Sequence, residues 1–271
     1  MTSDGAGVKL RRSLGSAQFQ RLDPFLMLDE FRSDDPKDYI AGFPSHPHRG
    51  FETVTYMLDG HLRHEDSLGN RGDLGPGDVQ WMTAARGIIH SEMPRQVAGR
   101  MRGFQLWVNL AARDKMKPAV WRDIPAAQVP LAELGDGVRV RVIAGTLRQG
   151  TQTWTGPAPA QSAATLYLDV QLPPAANFAV PVPAQDNGFV YLFEGDAVVG
   201  PQQQALPANA AGLLGPGEEL QVRAGAQGAR FLLLTGTPLG EPVVQYGPFV
   251  MNTRAEIEQA IDDFQAGRLT A

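Results

Sequence analysis

The chain has 271 residues, a formal charge of -5 at pH 7, 43% hydrophobic and 20% charged residues, a make-up that fits a folded globular protein with room for two domains. The acidic balance argues against direct binding to nucleic acid, and the absence of cysteine removes disulfides, thiolate metal sites and cysteine nucleophiles together. Residues 1–8 hold no apolar segment of signal-peptide length, and no later run approaches the ~18 apolar residues of a membrane span, so a cytoplasmic protein without a membrane partner is expected.

Glycine and proline, 30 and 21 in number, favour short strands joined by tight turns over long helices. Near the N-terminus, Lys9, Arg11 and Arg12 read as a solvated basic face. From residue 51 onward, β-branched and aromatic runs predict strands at 51–58, 61–66, 78–82, 88–92 and 105–108, with a turn at Gly69-Asn70-Arg71-Gly72. A stretch rich in Gly, Thr, Gln, Pro and Ala between Ala144 and Ala164, with Trp154 isolated inside it, is expected to connect two domains, 1–145 and 146–271. Further strands are predicted at 138–143, 165–170, 189–193 and 231–234. Thr253-Arg254-Ala255-Glu256 has the form of a capping box, and Ile257, Ala260, Ile261 and Phe264 recur at helical spacing, which predicts one amphipathic helix at the end of the chain.

An internal echo organises these elements. Tyr56-Met57-Leu58-Asp59-Gly60 is matched by Tyr191-Leu192-Phe193-Glu194-Gly195, and Leu74-Gly75-Pro76-Gly77-Asp78 by Leu214-Gly215-Pro216-Gly217-Glu218, in the same order and at similar separation. Two copies of one β-fold are implied. All five histidines, His46, His48, His61, His64 and His90, lie in the first copy, and counting back from the two tyrosines aligns His46-Pro47-His48 with Pro181-Val182-Pro183.

Two histidines one residue apart point to the same side of an extended segment, so both imidazoles can converge on one ion. His90 and Glu92 repeat that spacing. On neighbouring strands the two pairs would offer three nitrogens and one carboxylate to a divalent metal, leaving positions open for water, dioxygen or a substrate oxygen, as catalytic sites do.

The run His46-Pro47-His48-Arg49-Gly50-Phe51-Glu52-Thr53-Val54 resembles the first signature of the pirin family, and residues 76–84 followed by Gly87-Ile88-Ile89-His90-Ser91-Glu92-Met93-Pro94 resemble the second. Segments 22–31, 105–110 and 247–253 are similar to pirin segments as well, so the likeness runs nearly end to end. The resemblance implies an all-β bicupin, two tandem cupin (double-stranded β-helix or jelly-roll) barrels with a short C-terminal helix. It also implies a mononuclear non-haem metal in the first barrel and none in the second. The ion implied is Fe2+, with Mn2+, Co2+, Ni2+ and Zn2+ as alternatives, on ligands matching His46, His48, His90 and Glu92. Many other cupins take their carboxylate ligand from the glutamate four residues after the second histidine, here Glu52. Strand parity leaves both carboxylates open, and the pirin-type match favours Glu92.

Bland readings apply to several neighbours. His61 and His64 read as solvent-facing or as hydrogen-bond partners, with His64 the stronger candidate for a pocket role because His64-Glu65-Asp66-Ser67 also resembles pirin. Phe51, Trp81 and Met82 read as packing, and Arg49 either orients a substrate anion or makes a structural salt bridge.

Activity of the quercetin 2,3-dioxygenase type is implied by the same resemblance. A flavonol or another enol-containing small molecule would react with dioxygen at the metal, with Glu92 as the catalytic proton acceptor. The alternative is an iron-dependent, redox-sensing regulator that binds a partner protein. A barrel merely stabilised by its ion is a third option, against which the open coordination speaks.

Overall fold

The computed structural model describes residues 1–16, 21–159 and 162–271, and the chain forms two compact units. The first comprises residues 1–21, 25–126 and 239–271, and the second comprises residues 22–24 and 127–238. Among the described residues no helix is long and apolar enough to cross a membrane.

The first unit is built on β1 (Thr2–Asp4), β2 (Val8–Leu14), β3 (Phe25–Ser33), β4 (Phe43–His48), β5 (Phe51–Asp59), β6 (Leu62–Asp66), β7 (Arg71–Leu74), β8 (Val79–Thr83), β9 (Ile88–Pro94), β10 (Met101–Asn109) and β11 (Val120–Ile124). They form two antiparallel sheets, in the order β1-β2-β3-β10-β5-β8-β11 and β4-β9-β6-β7. The central strand β5 is buried on both faces from Phe51 to Met57, which is why, Glu52 apart, its sequence reads as a run of apolar residues and threonine instead of an alternating one. Strand β9 alternates cleanly, with Ile88, His90 and Glu92 buried between more open neighbours.

Strand β3 escaped the sequence pattern because Asp29 and Glu30 interrupt it, yet both are buried. Arg12 donates two hydrogen bonds to Asp29, at 2.9 and 2.7 Å, and Arg102 donates to Glu30 at 3.1 Å, so these carboxylates enter the sheet already paired. The basic N-terminal residues are therefore bound up in ion pairs, Lys9 with Asp38 at 2.6 Å and Arg12 with both Asp4 and Asp29 at 2.7 Å.

The second unit contains β12 (Leu131–Glu133), β13 (Arg139–Ala144), β14 (Thr146–Gln149), β15 (Gln152–Thr155), β16 (Ala164–Leu172), β17 (Asn177–Pro181), β18 (Asn187–Val199), β19 (Gln204–Leu206), β20 (Ala210–Leu213) and β21 (Glu219–Gly236). Its main sheet runs β12-β13-β16-β21-β18-β19, and Leu166, Leu168, Val170, Val190, Leu192, Phe231 and Leu233 fill its core. The echoed tyrosines Tyr56 and Tyr191 are both fully buried on central strands, and each echo ends in a glycine at positive φ, Gly60 at 84° and Gly195 at 75°.

The domain limits differ from those expected at 145 and 146. The glycine- and threonine-rich stretch is a β14–β15 hairpin pairing Thr146 with Thr155, and Leu147 is part of the second unit's core. Its composition marks a turn, not a linker; Ala160 and Gln161, within the expected connection, lie outside the described residues.

The tail also changes units. Strands β22 (Val244–Tyr246) and β23 (Phe249–Met251) form a hairpin, and helix α1 (Arg254–Gln265) follows with the expected reciprocal capping box of Thr253 and Glu256. Ile257 and Ala260 pack on Phe249, Met251 and Leu269 within the first unit.

Candidate metal centre

Strands β4 and β9 run antiparallel with His46 directly opposite His90. The ring centroids of His46, His48 and His90 are 4.4 to 4.9 Å apart, and one donor atom from each lies within 4.8 Å of the other two. Among the described residues this is the group of histidines and acids able to share an ion.

The donor chemistry fits a metal. Nδ1 of His48 and Nε2 of His90 are buried and have no hydrogen-bond partner, a condition that costs about 1–3 kcal/mol per polar group unless something else occupies the lone pair. His46 uses Nδ1 against the Pro44 carbonyl at 2.8 Å, which leaves its Nε2. Burial pushes both His48 and His90 well below the usual histidine range, and the neighbouring imidazoles push them further. At neutral pH both are uncharged rings, the form that donates to a cation.

Glu92 stands beside this trio, outside the set of mutually close donor atoms, and is 4% exposed. Thr55 Oγ1 lies 2.7 Å from its Oε1 and Gln105 Nε2 donates to its Oε2 at 3.1 Å. The four-residue set expected from sequence is thus three clustered histidines with a hydrogen-bonded carboxylate alongside. Glu52, the other carboxylate left open by strand parity, accepts a hydrogen bond from Thr83 at 2.8 Å and is likewise outside the trio.

His46, His48 and Glu92 line a cavity of about 960 Å³, together with Gln105, Trp107, Met27 and the Arg12–Asp29 pair. That volume is at the upper end of the ~300–1,000 Å³ of small-molecule sites. Trp107 and Phe51 pack edge-on against His48, with centroids at 5.2 and 5.0 Å, and meet each other at a tilt of 35° with centroids 4.3 Å apart, so Trp107 forms an apolar wall of the cavity backed by buried Phe51.

Arg49 resolves to a structural role. It is 3% exposed, donates to the Arg86 and Leu269 carbonyls and pairs with Asp263 of α1 at 2.9 Å. His61 is exposed, whereas His64 is fully buried and reaches His90. Sequence reasoning passed over Thr55 and Gln105, which sit at facing positions on β5 and β10. It also passed over Lys115, 1% exposed, whose Nζ donates to the Gly50 and Val250 carbonyls at 2.6 and 2.9 Å and to Asn109 at 2.6 Å. Burial pulls Lys115 down to about 8.

The family model described as pirin matches residues 7–108, and the one described as the pirin C-terminal cupin domain matches residues 167–270. A Caulobacter vibrioides protein named "Pirin-like protein" is 49% identical over 98% of this chain and 95% of its own length. The chain belongs to the pirin family. A relative from Pseudomonas aeruginosa, named "Putative quercetin 2,3-dioxygenase", is 54% identical and covers 98% of this chain and 94% of itself. A crystal structure titled quercetin 2,3-dioxygenase from Acinetobacter baumannii has a TM-score of 0.88 and 36% identity, covering 98% of this chain and 93% of that one. The mostly β architecture with two cupin domains and a short C-terminal helix accords with this pirin membership.

The second unit carries a different lining at the place that aligns with the histidines. Pro181, Val182 and Pro183 border a cavity of about 470 Å³ together with Thr165 and Thr235, and the segment that aligns with His46-Pro47-His48 carries no imidazole.

Proposed function

We propose that the protein is a mononuclear metal dioxygenase of the quercetin 2,3-dioxygenase type, which opens the ring of a flavonol or a related enol-bearing compound with dioxygen. The observation that carries this reading is the pair of buried, unpartnered ring nitrogens of His48 and His90, clustered with His46 at the wall of a ligand-sized cavity that Glu92 also lines. The names of the Pseudomonas and Acinetobacter proteins support the same substrate class.

In this proposal His46, His48 and His90 hold one divalent ion, Fe2+ first among Mn2+, Co2+, Ni2+ and Zn2+. A divalent ion there supplies the positive charge that stabilises a deprotonated enol oxygen and the electronic route to dioxygen. Glu92 takes the proton of the substrate hydroxyl, and Thr55 and Gln105 hold its two oxygens toward that task. Trp107 lines the cavity on the His48 side and offers an apolar ring to an aromatic substrate, and the fully buried Phe51 supports it from within the fold. In the balanced reaction both atoms of dioxygen enter the ring-opened ester, two carbon–carbon bonds break, and the carbon between them leaves as carbon monoxide.

Aerobic incubation of the metal-loaded protein with quercetin tests the reading. Loss of the flavonol absorbance with one carbon monoxide per turnover is expected, and His48→Ala should abolish it while the barrel stays folded. No turnover with iron, manganese, cobalt or nickel would overturn the enzyme reading and leave a regulator that binds a partner protein.

A further inference from the structure

Behind His90 lies a second pair of buried groups that the proposed chemistry does not use. His64 on β6 is fully buried, its ring stacked on Trp121 with centroids 5.8 Å apart and planes 19° from parallel. Its Nδ1 is 3.3 Å from Nδ1 of His90, and its Nε2 is 3.3 Å from Oδ2 of Asp66. Register explains the contacts, because β6 pairs with β9 and sets His64 opposite Glu92 and Asp66 opposite His90.

The protons along this chain are determined from its far end. Asp66 Oδ1 receives the backbone N–H groups of Leu68 and Asn70 at 2.9 and 3.0 Å, and Oδ2 receives the Asn70 side-chain amide at 2.9 Å. With both oxygens already accepting, Asp66 meets His64 as an acceptor, so His64 Nε2 carries the proton. On a ring that carries that one proton, Nδ1 is a lone pair. Two facing ring nitrogens need one proton between them, and it must come from His90 Nδ1. His90 Nε2 is thereby left bare, and it is the buried nitrogen without a partner.

We propose that Asp66 and His64 are positioning residues that lock His90 in the Nδ1–H tautomer and present its Nε2 lone pair to the metal. The inference rests on the metal-site reading above. If His64 carried a proton on both nitrogens the chain would reverse, His90 would hold its proton on Nε2, and that nitrogen could not ligate. Partners behind a ligating histidine typically change metal affinity by about 10–100-fold when removed.

Long-range 1H–15N spectra of the metal-free, 15N-labelled protein read the tautomers directly, with His90 assigned by its loss in His90→Gln. The expected result is Nε2–H for His64 and Nδ1–H for His90. In His64→Leu, His90 should become a mixture of tautomers, and Co2+ affinity, measured by competition with a chromophoric chelator, should fall about 10–100-fold. His64→Gln, whose amide oxygen can accept from His90, should recover part of that loss.

Wild-type His90 found with its proton on Nε2 would overturn the proposal, and this readout stands even if His64→Leu does not fold. So would wild-type Co2+ affinity in folded His64→Leu when His48→Ala has lost binding, a result that leaves the metal site intact. Should His48→Ala bind Co2+ as tightly as the wild type, the site reading itself fails, and the positioning role with it.

Discussion

Lowering the pH should destabilise the metal-free protein through His48 and His90. Both rings are held well below their ordinary value of 6.5, chiefly by burial, so the folded chain refuses protons that the unfolded chain takes up. Their contribution to stability therefore falls as pH drops below 6.5 and is flat above that. Between pH 7.5 and 5.5 an unfolded histidine gains about 1.4 kcal/mol from protonation, and two such groups cost the fold about 2.7 kcal/mol. With a urea slope of about 2–3 kcal/mol per molar, the midpoint should move down by roughly 1 M.

Tryptophan fluorescence is a suitable probe, since Trp81, Trp107 and Trp121 all lie in the first unit and Trp154 in the second. His48→Leu should remove about half of the pH dependence, roughly 1.4 kcal/mol. A midpoint in the wild type that does not change over this range, or a His48→Leu variant with the full dependence, would refute the view that these rings are buried and neutral.

Chelation of the metal should lower the unfolding midpoint of the holoprotein, and an ion held at 100 times its Kd should contribute about 2.7 kcal/mol by mass action, measurable by calorimetry with and without a chelator. Arg49→Met breaks the part-buried pair with Asp263 and removes the donor to two carbonyls, so a loss of about 2 kcal/mol in denaturant titration is expected, with no rescue by Arg49→Lys. Thr253→Ala removes one half of the capping box and should cost about 1 kcal/mol, seen as earlier fraying of α1 in hydrogen exchange. Glu92→Gln should keep Co2+ binding and lower quercetin turnover at least ~100-fold if the carboxylate takes the substrate proton.

The cluster of His46, His48 and His90 follows from local rules that the amino-acid string displays. A His-x-His pair on an extended segment must present both rings to one side, and His90-x-Glu92 does the same on β9. The echo around Tyr56 and Tyr191 likewise revealed two copies of one fold, since a turn glycine and a buried tyrosine recur wherever the same strand and bend recur. The capping box announced α1 because its hydrogen bonds span only three residues.

What the linear order could not decide were the pairings between distant residues. Asp29 and Lys115 look like surface residues by type and are buried because Arg12 and the Gly50 and Val250 carbonyls meet them in the folded unit. The same cause explains why residues 239–271 belong with the first unit, through Arg49 and the packing of Ile257 and Ala260, although they follow the second in sequence. Nor does any spacing rule bring Thr55 and Gln105 to Glu92, or His64 and Asp66 to His90; the register of β5 with β10 sets Thr55 beside Gln105, the two sheets of the first unit meet to bring both to Glu92, and the register of β6 with β9 places His64 and Asp66 beside His90, all properties of the assembled sheets.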